Sequence, residues 1–108
     1  MKYRIHFSHQ AFIDLESIVE YYYNLSPKTA SKYYHGIIKS TKKLSSFPTI
    51  GRIVPEYEEE YVDKYREVIY EHYRIIYRIE DKICIILRII NSRRLLTFDF
   101  IKSSSILH

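Results

Sequence analysis

The sequence predicts an α+β fold in which a helical hairpin packs on one face of a small, mainly antiparallel sheet. Three observations predict this fold: an alternating N-terminal segment, two apolar stripes at helical spacing, and three closely spaced segments rich in Ile, Val and Tyr. The predicted order is β-α-α-β-β-β, an N-terminal strand and αα-hairpin followed by a three-stranded antiparallel sheet. A chain of 108 residues is long enough for one domain, so we expect 1–108 to form a single unit.

The first strand and helix follow from local patterns. Apolar and polar residues alternate over 2–7, which predicts a half-buried strand. Ser8 comes next and is suited to cap a helix, because its hydroxyl can accept an unpaired amide of the first turn. The apolar stripe that predicts a helix of about 9–24 consists of Ala11, Leu15, Ile18 and Tyr22.

A second helix is predicted to begin immediately after the first. Ser26 can cap it and Pro27 is suited to its first position, because the proline ring fixes a helical backbone angle. Its stripe runs to about Ser46, and the tight link predicts an αα-hairpin. The stripe consists of Ala30, Tyr33, Ile37, Ile38, Thr41 and Leu44.

A loop over 47–55 is indicated by its prolines and glycine. The acidic stretch 56–63 follows, and we expect it to be an exposed loop or an edge. Residues 56–64 carry a local net charge of −4, so the rest of the chain carries +8 although the formal total is +4. A basic surface of this kind favours a phosphate backbone or an acidic protein partner, or serves solubility alone.

The C-terminal half is predicted to form consecutive strands joined by short turns. These strands are 65–71, 73–80 and 83–91. The last one is apolar on both faces, so we expect it to be central in the sheet and covered on both sides. The tail at about 103–108 is expected to fray.

Several short motifs in this order resemble the RelE/ParE superfamily of bacterial type II toxins over about 3–96. They are Ala11 with Asp14-Leu15, Ile18 and Tyr22, then Phe47-Pro48, Gly51-Arg52, Arg66-Glu67-Val68, Tyr73 to Ile79, and Arg93. The loop, the Arg-Glu-Val strand and the length of the hairpin resemble the ParE branch. The fold implied by this resemblance is the one that the patterns predict.

The resemblance implies a toxin of a toxin–antitoxin system of the plasmid-stabilisation type. A ParE-like toxin would inhibit DNA gyrase and be neutralised by a cognate antitoxin in a hetero-oligomer. The alternative is a RelE-like endoribonuclease that cuts mRNA on the ribosome. A third possibility is an inactive toxin fold that only binds a protein partner.

RNA cleavage by the 2′-hydroxyl requires a base, an acid and cations around the phosphate. For a nuclease, the resemblance implies cationic roles for Arg66, Arg74 and Arg93. The proton-transfer residue expected near the C-terminus is missing, because 92–107 contain neither Tyr nor His. His72 would be a substitute from elsewhere in the chain. This departure favours a toxin that is not a nuclease.

Other residues are candidates for binding a partner. The runs Tyr21–Tyr23 and Tyr33-Tyr34 cannot all face one side of a helix, so some tyrosines are predicted to be exposed, as is typical of interfaces. Strand arginines would pair with acidic residues of the antitoxin. The predicted partner-binding set is Arg74, Arg78, Arg88, Arg93, Arg94, Tyr21, Tyr23 and Tyr34.

Neither a metal nor a cofactor is expected. The five histidines lack ligand spacing and the two glycines stand alone. The single cysteine, Cys84, lies in an apolar run and fits a reducing compartment. With no signal-peptide pattern and no long apolar run, we expect a cytoplasmic protein without a membrane segment.

Overall fold

A computed structural model describes residues 2–57 and 64–93, which form two helices and a five-stranded sheet. The elements are β1 (Arg4–Phe7), α1 (His9–Leu25), α2 (Pro27–Ser46), β2 (Arg52–Ile53), β3 (Arg66–Tyr70), β4 (Tyr73–Glu80) and β5 (Ile83–Asn91), with a 3₁₀ turn at Pro55–Tyr57. The strand order is β1-β5-β4-β3-β2. The predicted α+β class is confirmed, but the expected three-stranded antiparallel sheet is a five-stranded mixed one.

The helix boundaries lie within one residue of their predicted positions because serines cap them. The Ser8 hydroxyl accepts a hydrogen bond from the Ala11 amide at 3.0 Å. Ser26 ends α1, since its amide donates to the Tyr22 carbonyl, and it also caps α2 by accepting from the Thr29 amide at 3.4 Å. One serine therefore closes one helix and opens the next.

β1 pairs with β5 in parallel, so the N-terminal strand becomes an edge of the sheet. Two hydrogen bonds fix it to the end of α2: the Tyr3 amide donates to the Ser45 carbonyl, and the Ser45 hydroxyl donates to the Tyr3 carbonyl. Ile5 and Phe7 pack against the helical core. The first strand of the chain therefore lies beside the last one, a pairing that a local sequence pattern cannot indicate.

The predicted loop over 47–55 contains the short strand β2, which the sequence patterns missed. Arg52 and Ile53 pair with Glu67 and Arg66 of β3. The buried Tyr77 hydroxyl holds this segment, because it donates to the Pro48 carbonyl at 2.7 Å and accepts from the Gly51 amide at 3.0 Å. A Cβ at Gly51 would lie 2.6 Å from that hydroxyl, so the close approach requires glycine.

Apolar side chains cover both faces of the sheet interior. The face toward the helices includes Ile75, Tyr77 and Ile86, and the opposite face includes Ile76 and Leu87. All five side chains are buried. β5 lies inside the sheet and is buried on both faces, as its doubly apolar sequence predicts.

Candidate functional site

Four charged side chains form a network on the sheet face opposite the helices. Arg74 is only 5% exposed, and its Nε donates to Glu67 Oε1 at 2.7 Å. Its Nη1 and Nη2 donate to the two carboxylate oxygens of Glu56, each at 2.7 Å. The second oxygen of Glu67 accepts from Arg52 Nε at 2.6 Å. We call Arg52, Glu56, Glu67 and Arg74 the Arg74 network.

The geometry of this network is that of a structural ion cluster. Glu56 engages the outer edge of the Arg74 guanidinium with two parallel hydrogen bonds, and the buried Glu67 engages its Nε. The hydrogen bonds that Arg74 donates to Glu56 and to Glu67, together with the two negative charges, raise the pKa of Arg74 above its ordinary value despite burial. Both edges of this guanidinium are therefore occupied within the chain.

Arg66 lies on the other face of the sheet. It pairs directly with Tyr77 of β4, and directly opposed residues share a face, so Arg66 points to the helical side. Its Nη1 donates to the Gly51 carbonyl at 2.8 Å and more weakly to the Thr49 carbonyl at 3.4 Å. The structure therefore does not bring Arg66 and Arg74 together around one phosphate position.

Arg88 is held by the first helix. Its Nε and Nη2 donate to the two Asp14 oxygens at 2.8 and 3.1 Å. A register shift in the β4–β5 pairing occurs here, and the Ile89 amide donates to Asp14 Oδ2 at 2.9 Å. The Ser8 hydroxyl donates to the Leu87 carbonyl at 3.0 Å. Side chains of α1 and its cap thus bind the part of β5 that extends beyond β1.

Two other predicted arginines, Arg78 and Arg93, lie within the described residues. Arg78 forms an ion pair with Glu80 at 2.8 Å. Arg93 is exposed in the turn after β5. This turn lies beside the β3–β4 turn, since the Ser92 amide donates to the His72 carbonyl at 2.7 Å. Arg94, residues 58–63 of the acidic stretch and the tail predicted to fray lie outside the described residues.

The tyrosines divide into a packed cluster and an exposed group. Tyr22 and Tyr33 stack with ring centroids 4.0 Å apart, and Tyr73 packs edge-on against Tyr33. The Tyr22 hydroxyl hydrogen-bonds to His72 Nε2 at 2.9 Å, and burial raises the pKa of Tyr22. The three tyrosines predicted to bind a partner are exposed, and they are Tyr21 (61%), Tyr23 (61%) and Tyr34 (42%).

Two of the exposed tyrosines line a groove between α1 and α2. This hairpin groove has a volume of about 560 Å³ and is lined by Phe12, Leu15, Glu16, Val19, Glu20, Tyr23 and Tyr34. The sequence patterns missed its other members as site residues. Phe12 and Val19 widen the apolar stripe of α1, and the exposed Phe12 lies at its margin, which was the available sign.

A depression of about 420 Å³ lies beside the Arg74 network and includes Ile69 and Ser92 in its lining. The sequence patterns also missed Glu56, Glu67 and Arg52 as partners of Arg74. Glu67 is the one acidic residue of β3 and alternates with Arg66 and Val68, and a buried charge requires a partner. That residue was the available sign of the network.

Residues 2–57 and 64–93 contain no group of three or more His, Cys, Asp and Glu side chains that could hold a metal ion. Over the same ranges, no helix is long and apolar enough to cross a membrane.

A helical hairpin on a mixed sheet whose central strands bear arginines is the architecture of the RelE/ParE-like toxins, and the comparisons with known proteins agree. The model of the ParE toxin family of type II toxin–antitoxin systems (parDE) matches residues 5–96. This chain belongs to that family. Among curated proteins, none matches it significantly.

Two solved structures share the fold. The chromosomal ParDE toxin–antitoxin system of P. aeruginosa superimposes with a TM-score of 0.68 at 25% identity, covering 83% of this chain and 96% of that one. The toxin–antitoxin complex RelBE2 of Mycobacterium tuberculosis gives a TM-score of 0.59 at 20% identity, covering 84% and 99%. The second likeness shows the fold alone.

Proposed function

We propose that this type II toxin acts by binding DNA gyrase rather than by cutting RNA, and that a cognate antitoxin neutralises it in a hetero-oligomer. The similarity to the ParDE system supports both partners. The observation that carries the choice of mechanism is the Arg74 network. Arg74 would be the central cation of a nuclease site, but Glu56 and Glu67 occupy both edges of its guanidinium.

The Arg74 network is unsuitable for RNA cleavage, because a scissile phosphate is negatively charged and the network already holds two carboxylates. A phosphate approaching Arg74 would have to displace Glu56 and would then lie beside Glu67, a buried carboxylate that repels it. The other cation, Arg66, lies on the opposite face of the sheet. A protein that binds its target through exposed tyrosines needs neither cation at a reacting phosphate.

The decisive experiment measures both candidate activities on one preparation. Purified protein is titrated into a gyrase supercoiling assay on relaxed plasmid, and in parallel into programmed ribosomes whose mRNA is analysed for new ends. We expect loss of supercoiling at stoichiometric toxin and intact mRNA. Normal supercoiling at a large excess of toxin would overturn the gyrase proposal, and normal results in both assays would support an inactive fold that only binds a partner.

One observation keeps the nuclease as a second candidate. Arg93 is exposed in the turn after β5, and His72 lies in the adjacent β3–β4 turn, so a cationic residue and an imidazole lie on neighbouring turns at one end of the sheet. If mRNA is cut, Arg93→Ala should abolish the cut while the exposed control Lys64→Ala leaves it unchanged. Equal cutting by wild type and Arg93→Ala would contradict a site at this end of the sheet.

The antitoxin is tested through the neighbouring reading frame. We expect an adjacent small gene whose product carries a DNA-binding segment and a toxin-binding tail. Co-expression should restore growth to cells that produce this protein, and the two should co-purify. Failure of every adjacent frame to restore growth would contradict the partnership.

A further inference from the structure

The solvent face of α2 carries a stripe of positive charge. All the lysines of this helix are exposed, and the helix contains no Asp or Glu. At about 100° per residue, the lysines fall within an arc of about 100° around the helix axis. At about 1.5 Å per residue, they extend about 22 Å along that axis. We call this surface the α2 lysine stripe, and it consists of Lys28, Lys32, Lys39, Lys42 and Lys43.

Little of this charge is neutralised within the part of the chain that the structure describes. Only Lys32 pairs with a carboxylate there, and its pair with Glu71 is long at 3.9 Å and exposed on both sides. Such a pair is weak and is screened by salt. The neighbouring helix α1 has the opposite charge, since it contains three acidic residues and no Lys or Arg. The field of the protein would therefore orient α2, rather than α1, toward a polyanion.

Helix stability and solubility do not explain the stripe. Like charges four residues apart destabilise a helix, and Lys39 with Lys43 is such a pair, as is Lys28 with Lys32. Solubility is served as well by charges of both signs interspersed over a surface. An arrangement that lowers helix stability and collects one sign of charge on one face indicates a ligand of the opposite charge.

The stripe fits a phosphate backbone better than a protein or a lipid surface. Specific protein interfaces are built around apolar or aromatic anchors. Within α2, all of which the structure describes, Tyr34 is the one large apolar side chain that is exposed, and it lies about 80° outside the arc. A helix that enters a lipid surface needs a free apolar face, whereas that of α2 is buried in the core. A phosphate backbone requires only aligned cations.

We propose that the α2 lysine stripe binds the phosphate backbone of duplex DNA without sequence preference. Each strand rises about 3.4 Å per nucleotide, so the stripe would follow a strand over roughly six nucleotides and reach about four or five phosphates. The choice of DNA rests on the proposed function, because gyrase acts on duplex DNA and a toxin that binds this duplex would encounter the enzyme on its substrate.

Direct binding to DNA tests this assignment. A labelled duplex of about 20 base pairs and arbitrary sequence is titrated with the full chain and followed by fluorescence anisotropy, at about 50 to 200 mM salt. We expect a dissociation constant of about 1–100 μM near physiological salt, the range of non-specific binding. The slope of log K against log[salt] should be about −4, and a second, unrelated sequence should bind equally.

Single-charge variants locate the contact. Lys39→Gln should weaken binding about eightfold at about 0.1 M salt and reduce the salt slope by about one, as loss of one phosphate contact does. Lys64→Gln is the matched control, because Lys64 is also exposed but lies before β3 and not on α2. It should weaken binding less than about twofold. Replacing Lys39, Lys42 and Lys43 together by Gln should remove most of the binding, whereas replacing them by Arg should preserve it. Circular dichroism confirms that each variant is folded.

The other outcomes overturn the proposal. It fails if the duplex does not bind at the lowest salt, if Lys64→Gln weakens binding as much as Lys39→Gln, or if the Arg variant binds as poorly as the Gln variant. Binding of a duplex RNA about tenfold more tightly than DNA would assign the stripe to RNA. Equal competition by a polyglutamate peptide of the same charge would assign it to an acidic protein segment. Because the assay contains neither gyrase nor antitoxin, its failure and failure of the gyrase proposal are distinguishable.

Discussion

Replacing Glu67 by Gln should destabilise the fold severely, because Glu67 is 1% exposed and accepts hydrogen bonds from two arginines. Glutamine keeps the shape of the side chain but has one acceptor oxygen. Its NH2 group would therefore face an N–H group of Arg52 or Arg74, and two donors cannot form a hydrogen bond. Breaking a buried ion pair from one side costs about 3–5 kcal/mol. The buried pair with Arg74 carries most of this, since the Arg52 side chain is largely exposed and its pair is screened by water.

This loss is a large part of the total stability, since small domains have a free energy of unfolding of roughly 5–15 kcal/mol. For a domain of this size, 3 kcal/mol lowers Tm by at least about 12 °C. Urea unfolding followed by circular dichroism measures the loss. Glu80→Gln is the matched control, because Glu80 pairs with Arg78 at a side-chain exposure of 59% and should cost less than about 1 kcal/mol. Equal losses for the two variants would refute the reasoning.

Three further outcomes follow from single contacts. Asp14→Ala removes the carboxylate to which the Arg88 guanidinium and the Ile89 amide donate, and it should cost about 3 kcal/mol. The exposed control Ser17→Ala should change stability by less than about 0.5 kcal/mol. Equal urea midpoints for the two variants would contradict the role of Asp14. Gly36→Ala places a Cβ inside the Tyr70 ring and should lower Tm. In a Tyr70→Ala background the same change should lower Tm much less, because the clashing ring is gone. Additive Tm losses of the two single variants in the double variant would refute the clash. Burial raises the pKa of Tyr77, so above pH 9–10 the unfolded chain binds fewer protons than the folded chain. The free energy of unfolding should therefore fall as the pH rises, and it should fall less steeply in Tyr77→Phe. Equal slopes of the two proteins in urea titrations at pH 7–11 would contradict this.

Much of the fold could be predicted because its elements are set by local chemistry. Ser8, Ser26 and Pro27 define the helix ends, and the period of the apolar residues distinguishes helix from strand. β2 and the parallel pairing of β1 could not be predicted in this way. β2 exists because the Tyr77 hydroxyl, 26 residues from Gly51, holds its loop against the sheet. A contact over that distance leaves no periodic pattern.

The candidate site was predicted only in part. Helix geometry correctly indicates that some tyrosines of the runs are exposed, as Tyr21 and Tyr23 are. It does not indicate which of them line a common groove, because Tyr34 reaches that groove from the second helix.

The α+β class, the helical hairpin and the presence of arginines along the central strands follow from residue order and spacing alone. What those arginines contact depends on the packing of the folded chain. Glu56 approaches Arg74 from a turn 18 residues away, and Asp14 approaches Arg88 from a helix 74 residues away. A guanidinium binds a target or a neighbouring carboxylate according to which carboxylates the fold places within hydrogen-bonding distance, and that distance is set by packing rather than by position in the chain.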